Sequence, residues 1–191
     1  MRDSGTTTAA LGEPQETMSD EGRRPELETA RDRFERVIGA FGAAIGRTSR
    51  SYAKTSEERE DLEQDIALAL WRALPGFRGE CSERAFVLRV AHNQALSFLT
   101  RRRARPYEPL AGEPAADAPD PEVLADLSER MRAVFRAIHA LPVARRQVLT
   151  LALEGLSHEQ IGEVLGISAG NVAVRVNRAR VDLMRELGEK K

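Results

Sequence analysis

Three polar side chains near the carboxyl end of the chain recur at spacings of four and three residues: Asn171, Arg175 and Arg178. On a helix these spacings place all three on one face. Arginine guanidinium groups bind phosphate oxygens, and an asparagine amide can hydrogen-bond the edge of a base. The spacing therefore predicts a helix that lies in a DNA groove.

The residues before this face predict the element that positions it. Ser157 and Gln160 have the spacing of a capping box, and Gly166 is the residue type that ends a helix in a left-handed conformation. Ser168 is then the N-cap of the second helix. An N-cap, a glycine turn, a second N-cap and an arginine-bearing face follow one another along the chain. This order predicts a helix-turn-helix over about 157–178. A helical hairpin with a solvated cationic face is the alternative.

The composition favours small helical bundles over a β-rich core, because only 5% of the 191 residues are aromatic while 31% are charged. The formal net charge is −1. Phosphate neutralisation supplies most non-specific affinity for DNA, so a chain this neutral should bind naked duplex weakly and act beside a partner.

Cysteine usage and hydropathy predict a cytoplasmic protein. The single cysteine excludes an internal disulfide and fits a reducing compartment. No apolar run approaches the roughly 20 residues of a membrane span, and the N-terminus lacks the apolar segment of a secretory signal. The three histidines are far apart in sequence, so we expect no metal site. The glycines of GAFGAAIG lie in an amphipathic helical pattern and not after a strand, so we expect no cofactor.

Helical periodicity predicts an all-α fold with two small domains joined by a flexible linker. Residues 28–103 should form a three-helix bundle, and residues 122–191 a four-helix domain that ends in the helix-turn-helix. Residues 1–27 have little apolar content, which predicts a disordered tail. Residues 104–121 contain five prolines and no helical period, which is typical of a linker.

The segment EEREDLEQD, residues 57–65, is the densest charge cluster of the first domain, with six acidic residues out of nine. One interpretation is a solubilising helix start. The other is a docking surface for a basic partner, steered by charge. Acid–base catalysis is not indicated, because the cluster lies on a solvated helix, and nothing else in the sequence supports an enzyme.

Two longer motifs resemble the sigma factors of bacterial RNA polymerase. DLEQDIALALWRALPGFRGE, followed by RVAHN at residues 89–93, resembles sigma region 2. LPVARRQVLTLALEGLSHEQIGEVLGIS resembles sigma region 4. Because both motif sets occur in this order and at the usual separation, the chain is identified as similar to the extracytoplasmic-function group of the sigma-70 family over about residues 34–187.

The resemblance implies a transcription initiation factor without catalysis of its own. Region 2 would bind core RNA polymerase at the clamp helices of the largest subunit, and region 4 would meet the flap of the second subunit. Promoter DNA is an implied partner, and an anti-sigma factor is a further candidate partner. The residues that would contact the polymerase core are Asp61, Leu62, Gln64 and Asp65.

The same resemblance implies two DNA sites. At the −10 element a flipped base would enter a pocket between an aromatic ring and an amide, and captured bases would offset the lost stacking. The residues of this site are Phe77, Arg78, Phe86, Arg89 and Asn93. The residues that would read the −35 element are Ser168, Asn171, Ala173, Val174, Arg175, Asn177 and Arg178.

Other functions stay open at the level of sequence. A stand-alone helix-turn-helix regulator would act as a dimer on a palindromic site without polymerase. A sigma-like decoy would bind an anti-sigma factor and never start transcription. The acidic segment and the proline-rich linker have no role in the first alternative.

Overall fold

The computed structural model describes residues 29–104, 122, 125 and 127–188, and these residues contain no β-strand. Seven α-helices follow in chain order: α1 (Ala30–Arg50), α2 (Ser56–Ala73), α3 (Glu83–Ala104), α4 (Glu129–Ala140), α5 (Val143–Leu153), α6 (His158–Leu165) and α7 (Ala169–Glu186). The predicted all-α class, with three helices before the linker and four after it, is confirmed. The predicted tail, and the predicted linker beyond Ala104, lie outside the described residues.

Side-chain caps set where the helices of the first domain begin. Thr29 and Asp32 form a reciprocal capping box at the start of α1. The Thr55 hydroxyl accepts the Glu58 amide at 3.1 Å, so Thr55, and not its neighbour Ser56, is the N-cap of α2. Threonine and serine cap by the same chemistry, and sequence alone does not choose between neighbours.

Helices α1 to α3 pack into one bundle, here called the first module. Its core contains an apolar stripe of α2, where Leu62, Ile66 and Leu70 are fully buried. After α2, a short 3-10 turn over Leu74–Gly76 redirects the chain toward α3. The proline in this turn cannot continue an α-helix, so it separates α2 from the loop that follows.

Helices α4 to α7 form the second module. The predicted caps of the helix-turn-helix are present: Ser157 and Gln160 form a capping box, and Gly166 has φ 67°. Gly162 is also required here, since a Cβ at this position would lie 2.6 Å from the Ile167 carbonyl oxygen. The two glycines therefore fix the angle at which α7 leaves α6.

The two modules pack against each other. Ala44, Ala85 and Leu88 of the first module belong to the same buried apolar cluster as the core of the second. Helix α3 contacts α6 directly. This contact, called the module interface below, was not expected from a sequence that predicted two separate modules on a linker.

Candidate polymerase and promoter interfaces

An exposed acidic surface lies on the first half of α2. Glu57, Glu60, Asp61 and Gln64 are exposed, and the three carboxylates form no ion pair with any residue in the described parts of the chain. Neighbouring carboxylates on the same helix form ion pairs with other residues of the chain. The carboxylates that remain unpaired form the surface available to a cationic partner.

Internal ion pairs join α2 to the end of α3. The Glu58 carboxylate accepts from Arg102 at 3.2 Å, and Asp65 pairs with Arg101. The side chain of Asp65 is still 42% exposed. Asp65 therefore lies at the edge of the acidic surface, where it is both a structural ion-pair partner and reachable from solvent.

Leu62 is not part of the acidic surface. The family resemblance assigns it to the polymerase contact, but its side chain is fully buried against the core of the first module. A partner that approaches α2 meets Asp61 and Gln64 instead. Leu62 contributes by holding α2 in place, so that the neighbouring polar side chains face outward.

Aromatic and cationic groups meet where the loop after α2 approaches α3. The rings of Phe77 and Phe86 are stacked, with centroids 4.4 Å apart and an interplanar angle of 24°. The Arg33 guanidinium lies 5.5 Å from the centre of the Phe77 ring, and the Arg89 guanidinium lies 5.6 Å from that of Phe86. The site therefore combines stacked aromatic surface with two cations.

Phe86 is not an exposed residue of this site. The family resemblance assigns it to a DNA contact, but only 7% of it is exposed and the Phe77 ring is stacked on it. Phe77 is half-buried between the Phe86 ring and the Arg33 guanidinium, and it is the more exposed ring of the pair. Arg78 is exposed in the adjoining loop, where its amide donates to Glu80 at 3.2 Å.

Asn93 lies further along α3 with its side chain exposed. Positions 86, 89 and 93 follow helical spacing, so Asn93 is on the same face as the aromatic pair. The loop between Phe77 and α3 is anchored at its far end by Glu83, which accepts from Arg36 at 2.8 and 3.0 Å. That hydrogen bond lowers the pKa of the Glu83 carboxyl below its usual value.

On α7, the opposite faces of one helix have opposite roles. Val172, Val176 and Ala179 are buried and fix the helix to the second module. The exposed face carries a stripe with spacings of three, one and three: Asn171, Val174, Arg175 and Arg178. Arg175 and Arg178 form no ion pair among the described residues, so both guanidinium groups face solvent.

The remaining predicted residues of α7 lie beside this stripe. Ser168 is exposed, but its hydroxyl accepts the Asn171 amide at 3.3 Å as the N-cap. Asn177 is exposed, and Ala173 is half-buried. The far end of the helix is held by Asp182, which is largely buried and pairs with Arg145.

Two buried histidines were not singled out as functional from the sequence. The Nε2 atom of His92 lies 2.9 Å from the Thr150 hydroxyl oxygen, and that of His139 lies 2.7 Å from the Arg50 carbonyl oxygen. Burial lowers the pKa of each imidazole to about 4. Both contacts cross the module interface, which local sequence patterns do not reveal.

Over the described residues, no group of three or more His, Cys, Asp or Glu side chains is arranged to hold a metal ion. None of the helices in this part of the chain is long and apolar enough to cross a membrane.

Family models match both modules. Residues 37–105 match sigma-70 region 2, and residues 131–183 match sigma-70 region 4. An ECF RNA polymerase sigma-E factor of Haemophilus influenzae is 35% identical over 133 residues, which are 63% of this chain and 69% of the relative. The ECF RNA polymerase sigma factor SigM of Mycobacterium tuberculosis is 30% identical over 159 residues, covering 81% of this chain and 77% of the relative.

Two solved structures share the fold. CnrH, in complex with the cytosolic domain of CnrY, superposes with a TM-score of 0.60 at 25% identity over 85% of this chain and 92% of that chain. The sigma factor RpoE, in complex with the anti-sigma factor NepR from Bartonella quintana, gives a TM-score of 0.64 at 20% identity over 83% of this chain and 99% of that chain.

The match to region 2 covers the first module, which carries the acidic and aromatic surfaces, and the match to region 4 covers the second module, which carries the cationic stripe. The chain therefore belongs to the extracytoplasmic-function sigma factors of the sigma-70 family, which bind core RNA polymerase and direct it to promoters.

Proposed function

We propose that three surfaces of this sigma factor divide the work of initiation among them. The acidic surface of α2 binds core polymerase, the Phe77 site captures the melted −10 element, and the exposed stripe of α7 reads the −35 element. In this proposal region 2 is residues 28–103, region 4 is residues 122–191, residues 104–121 link them, and residues 1–27 form a tail.

The unpaired carboxylates of α2 support the first assignment. Asp61 and Gln64 are exposed side by side on a helix that is anchored on its other face by Leu62. Opposite charge on a partner would steer encounter and fix the register of the complex. The clamp helices of the largest polymerase subunit are the partner that we assign to this surface, with Asp65 at its edge.

The geometry around Phe77 supports the second assignment. A base that leaves the stack gains about 1–3 kcal/mol when it stacks on an aromatic ring. Phe77 offers such a ring, Arg78 and Arg89 supply positive charge for the backbone, and Asn93 offers an amide to a base edge. Duplex melting is thereby driven by capture of single-stranded bases.

The stripe on α7 supports the third assignment most directly, and it is the observation that carries the proposal. A helix that is anchored by a buried face and that presents unpaired arginines on the other has the form of a recognition helix. Arg175 and Arg178 bind phosphates, whereas Asn171 and Asn177 reach base edges. Val174 is 50% exposed and contacts a thymine methyl group.

Further partners follow from the family. We propose that the second module also meets the flap of the second polymerase subunit, and that an anti-sigma factor regulates the chain, since the structural neighbours include a sigma factor crystallised with one. The protein acts in the cytoplasm, where the polymerase is, and the chemistry of nucleotide addition belongs to the polymerase and not to this chain.

Two variants separate core binding from melting. The double change Asp61→Arg with Gln64→Ala should lower affinity for core polymerase about tenfold or more, because it places a cation where a cationic partner docks. Asn93→Ala should leave core affinity unchanged and slow open-complex formation. Glu35→Arg is the matched control, an equal charge change on the exposed face of α1. Equal loss of core affinity in the Asn93 and Asp61 variants would contradict this division.

A further inference from the structure

The loop between the 3-10 turn and α3, residues 77–82, carries part of the −10 site proposed above and is here called the capture loop. Arg78, Gly79 and Glu80 at its tip are exposed, and the hydrogen bond from the Arg78 amide to Glu80 stays within the tip. A tip of this kind has no helix or strand of its own to hold it. The position of the loop therefore depends on how its two ends are held.

One end of the capture loop is held by Arg33 of α1. The Arg33 guanidinium donates to the Phe77 carbonyl oxygen at 3.3 Å and lies 5.5 Å from the centre of the Phe77 ring. The Phe86 ring is stacked on the same ring, with centroids 4.4 Å apart. One arginine side chain therefore contacts both the backbone and the aromatic ring of the residue that we assign to the captured base.

The other end of the loop is held by Arg36, less than one turn further along α1. Its two terminal nitrogens donate to the two carboxylate oxygens of Glu83, the first residue of α3, at 2.8 and 3.0 Å. The side chain of Glu83 is 26% exposed. A two-point contact between a guanidinium and a carboxylate fixes direction as well as distance. Arg36 therefore fixes the place where the capture loop enters α3.

Arg33 and Arg36, called the α1 arginine pair below, act on the same region. They are three residues apart, which places them on one face of α1. The hydrogen bond from Arg36 is the main reason why the pKa of the Glu83 carboxyl is lowered, and the charge of Arg33 lowers that pKa further. Between the two held ends, the half-buried Cys81 packs against the apolar cores. Helix α1 thus holds the loop at both ends and leaves only its tip exposed.

Holding the loop in this way prepares the −10 site before DNA arrives. Phe77 lies on the loop, whereas Asn93 lies on α3, so the distance between the ring and the amide depends on how the loop is attached to α3. The α1 arginine pair gives both parts a common attachment. A binding site that is already ordered loses less conformational entropy when its ligand arrives, which raises affinity without any new contact.

We propose that Arg33 and Arg36 are positioning residues of the −10 site, which hold the two ends of the capture loop so that a single-stranded base meets a preformed site. The proposal rests on the function proposed above and adds residues to it that need not contact the base. Both residues precede the residues that match sigma-70 region 2, which begin at position 37. The role is therefore assigned from the contacts of this chain and not from the family match.

The test measures how tightly the holoenzyme, formed from the full chain and core polymerase, binds single-stranded promoter DNA. The probe is a fluorescent oligonucleotide of the non-template strand that covers the −10 element of a promoter transcribed by this holoenzyme. Arg36→Glu places a second carboxylate against Glu83 and should weaken probe binding about fivefold or more. Adding Glu83→Arg restores opposite charges and should return the affinity to within about twofold of the unaltered chain.

Variants at position 33 test the other end of the loop. Arg33→Ala should also weaken probe binding, and Arg33→Lys should weaken it less, because lysine keeps the charge but not the planar fork. Arg31→Glu is the matched control, since it breaks an exposed ion pair with Glu35 on the same helix and should leave probe binding unchanged. Circular dichroism and the affinity for core polymerase should be the same in all of these variants.

A second readout separates positioning from a general loss of stability. An abasic site is moved along the oligonucleotide to find the position where a missing base costs the unaltered holoenzyme the most affinity. That cost should become smaller in Arg36→Glu and in Arg33→Ala, because a displaced loop gains less from the base. A variant that is only less stable would bind every oligonucleotide more weakly and keep the same ratio.

The outcomes distinguish this proposal from the function on which it rests. An abasic cost that is unchanged in both variants, or no recovery of affinity in the charge-reversed pair, would refute positioning by α1 and leave base capture intact. An unaltered holoenzyme that loses no affinity at any abasic position would refute base capture at the Phe77 site, and the positioning role with it.

Discussion

The Nε2 atom of His92 lies 2.9 Å from the hydroxyl oxygen of Thr150, so a buried imidazole of the first module is hydrogen-bonded to a buried hydroxyl of the second. The other ring nitrogen, Nδ1, faces the Leu88 carbonyl oxygen at 3.2 Å. A carbonyl oxygen only accepts, so Nδ1 is the donor in that contact. The Thr150 hydroxyl also lies 2.9 Å from the Arg146 carbonyl oxygen, to which it can donate its single proton. Burial of the ring, and not the direction of the Nε2 contact, disfavours the charged imidazole.

Acid should therefore weaken the folded chain. Burial lowers the pKa of His92 and of His139 to about 4, whereas an unfolded histidine titrates near 6.5. Between these values the unfolded chain binds more protons, so the free energy of unfolding falls as pH decreases from about 6.5 to about 4. Each histidine changes the unfolding constant by up to about tenfold per pH unit, measurable by denaturant titration at several pH values.

Glutamine variants isolate this effect from the titration of carboxylates. His92→Gln should flatten the dependence of unfolding free energy on pH between about 4 and 6.5. His158→Gln removes an exposed histidine of α6 and should leave the dependence unchanged. An identical slope in the His92 variant and the unaltered chain would show that the buried imidazole is not the group that titrates.

Gly162 should tolerate no side chain. Gly162→Ala would place a Cβ 2.6 Å from the backbone oxygen of Ile167, so the turn between α6 and α7 must shift, at a cost of roughly 1–3 kcal/mol. Gly170→Ala is the control, because nothing lies within 4 Å of its Cβ and alanine favours a helix. Thermal unfolding should show a lower Tm only for Gly162→Ala. Equal Tm values would mean that the turn relaxes freely.

Arg178 should contribute one phosphate contact. Arg178→Ala is expected to weaken promoter binding by the holoenzyme at all sequences and to reduce the slope of log affinity against log salt by about 1. Arg180→Ala removes the same charge from an exposed position on another face of α7 and should change the slope less. A larger effect at position 180 would place the DNA on a different face of the helix.

Local chemistry explains which parts of the fold could be predicted. Ser157, Gln160 and Gly166 fix the helix-turn-helix through contacts within a few residues, so their types and spacing were sufficient. Leu62 and Phe86 also have the helical spacing of the buried residues of α2 and α3, which is typical of core positions. The family resemblance assigns both residues to contact sites, but both side chains are buried in the structure, as the helical spacing indicates.

The module interface could not be predicted in the same way. His92 and Thr150 are 58 residues apart, and Arg47 and Glu154 are 107 apart. No local pattern joins such pairs, because each residue has the type expected on an ordinary helix surface. Only the packing of α1 and α3 against α5 and α6 makes Glu154 a buried carboxylate with two cationic partners.

Sequencing of transcript 5′ ends shows whether this chain directs core RNA polymerase to promoters. Purified chain, core polymerase and genomic DNA fragments are combined, and the starts are compared with those made by core alone. We predict a limited set of new starts that share one −10 and one −35 sequence and that vanish with Asp61→Arg and Gln64→Ala. Starts identical to those of core alone, from a chain that remains folded, would mean that this chain does not direct initiation.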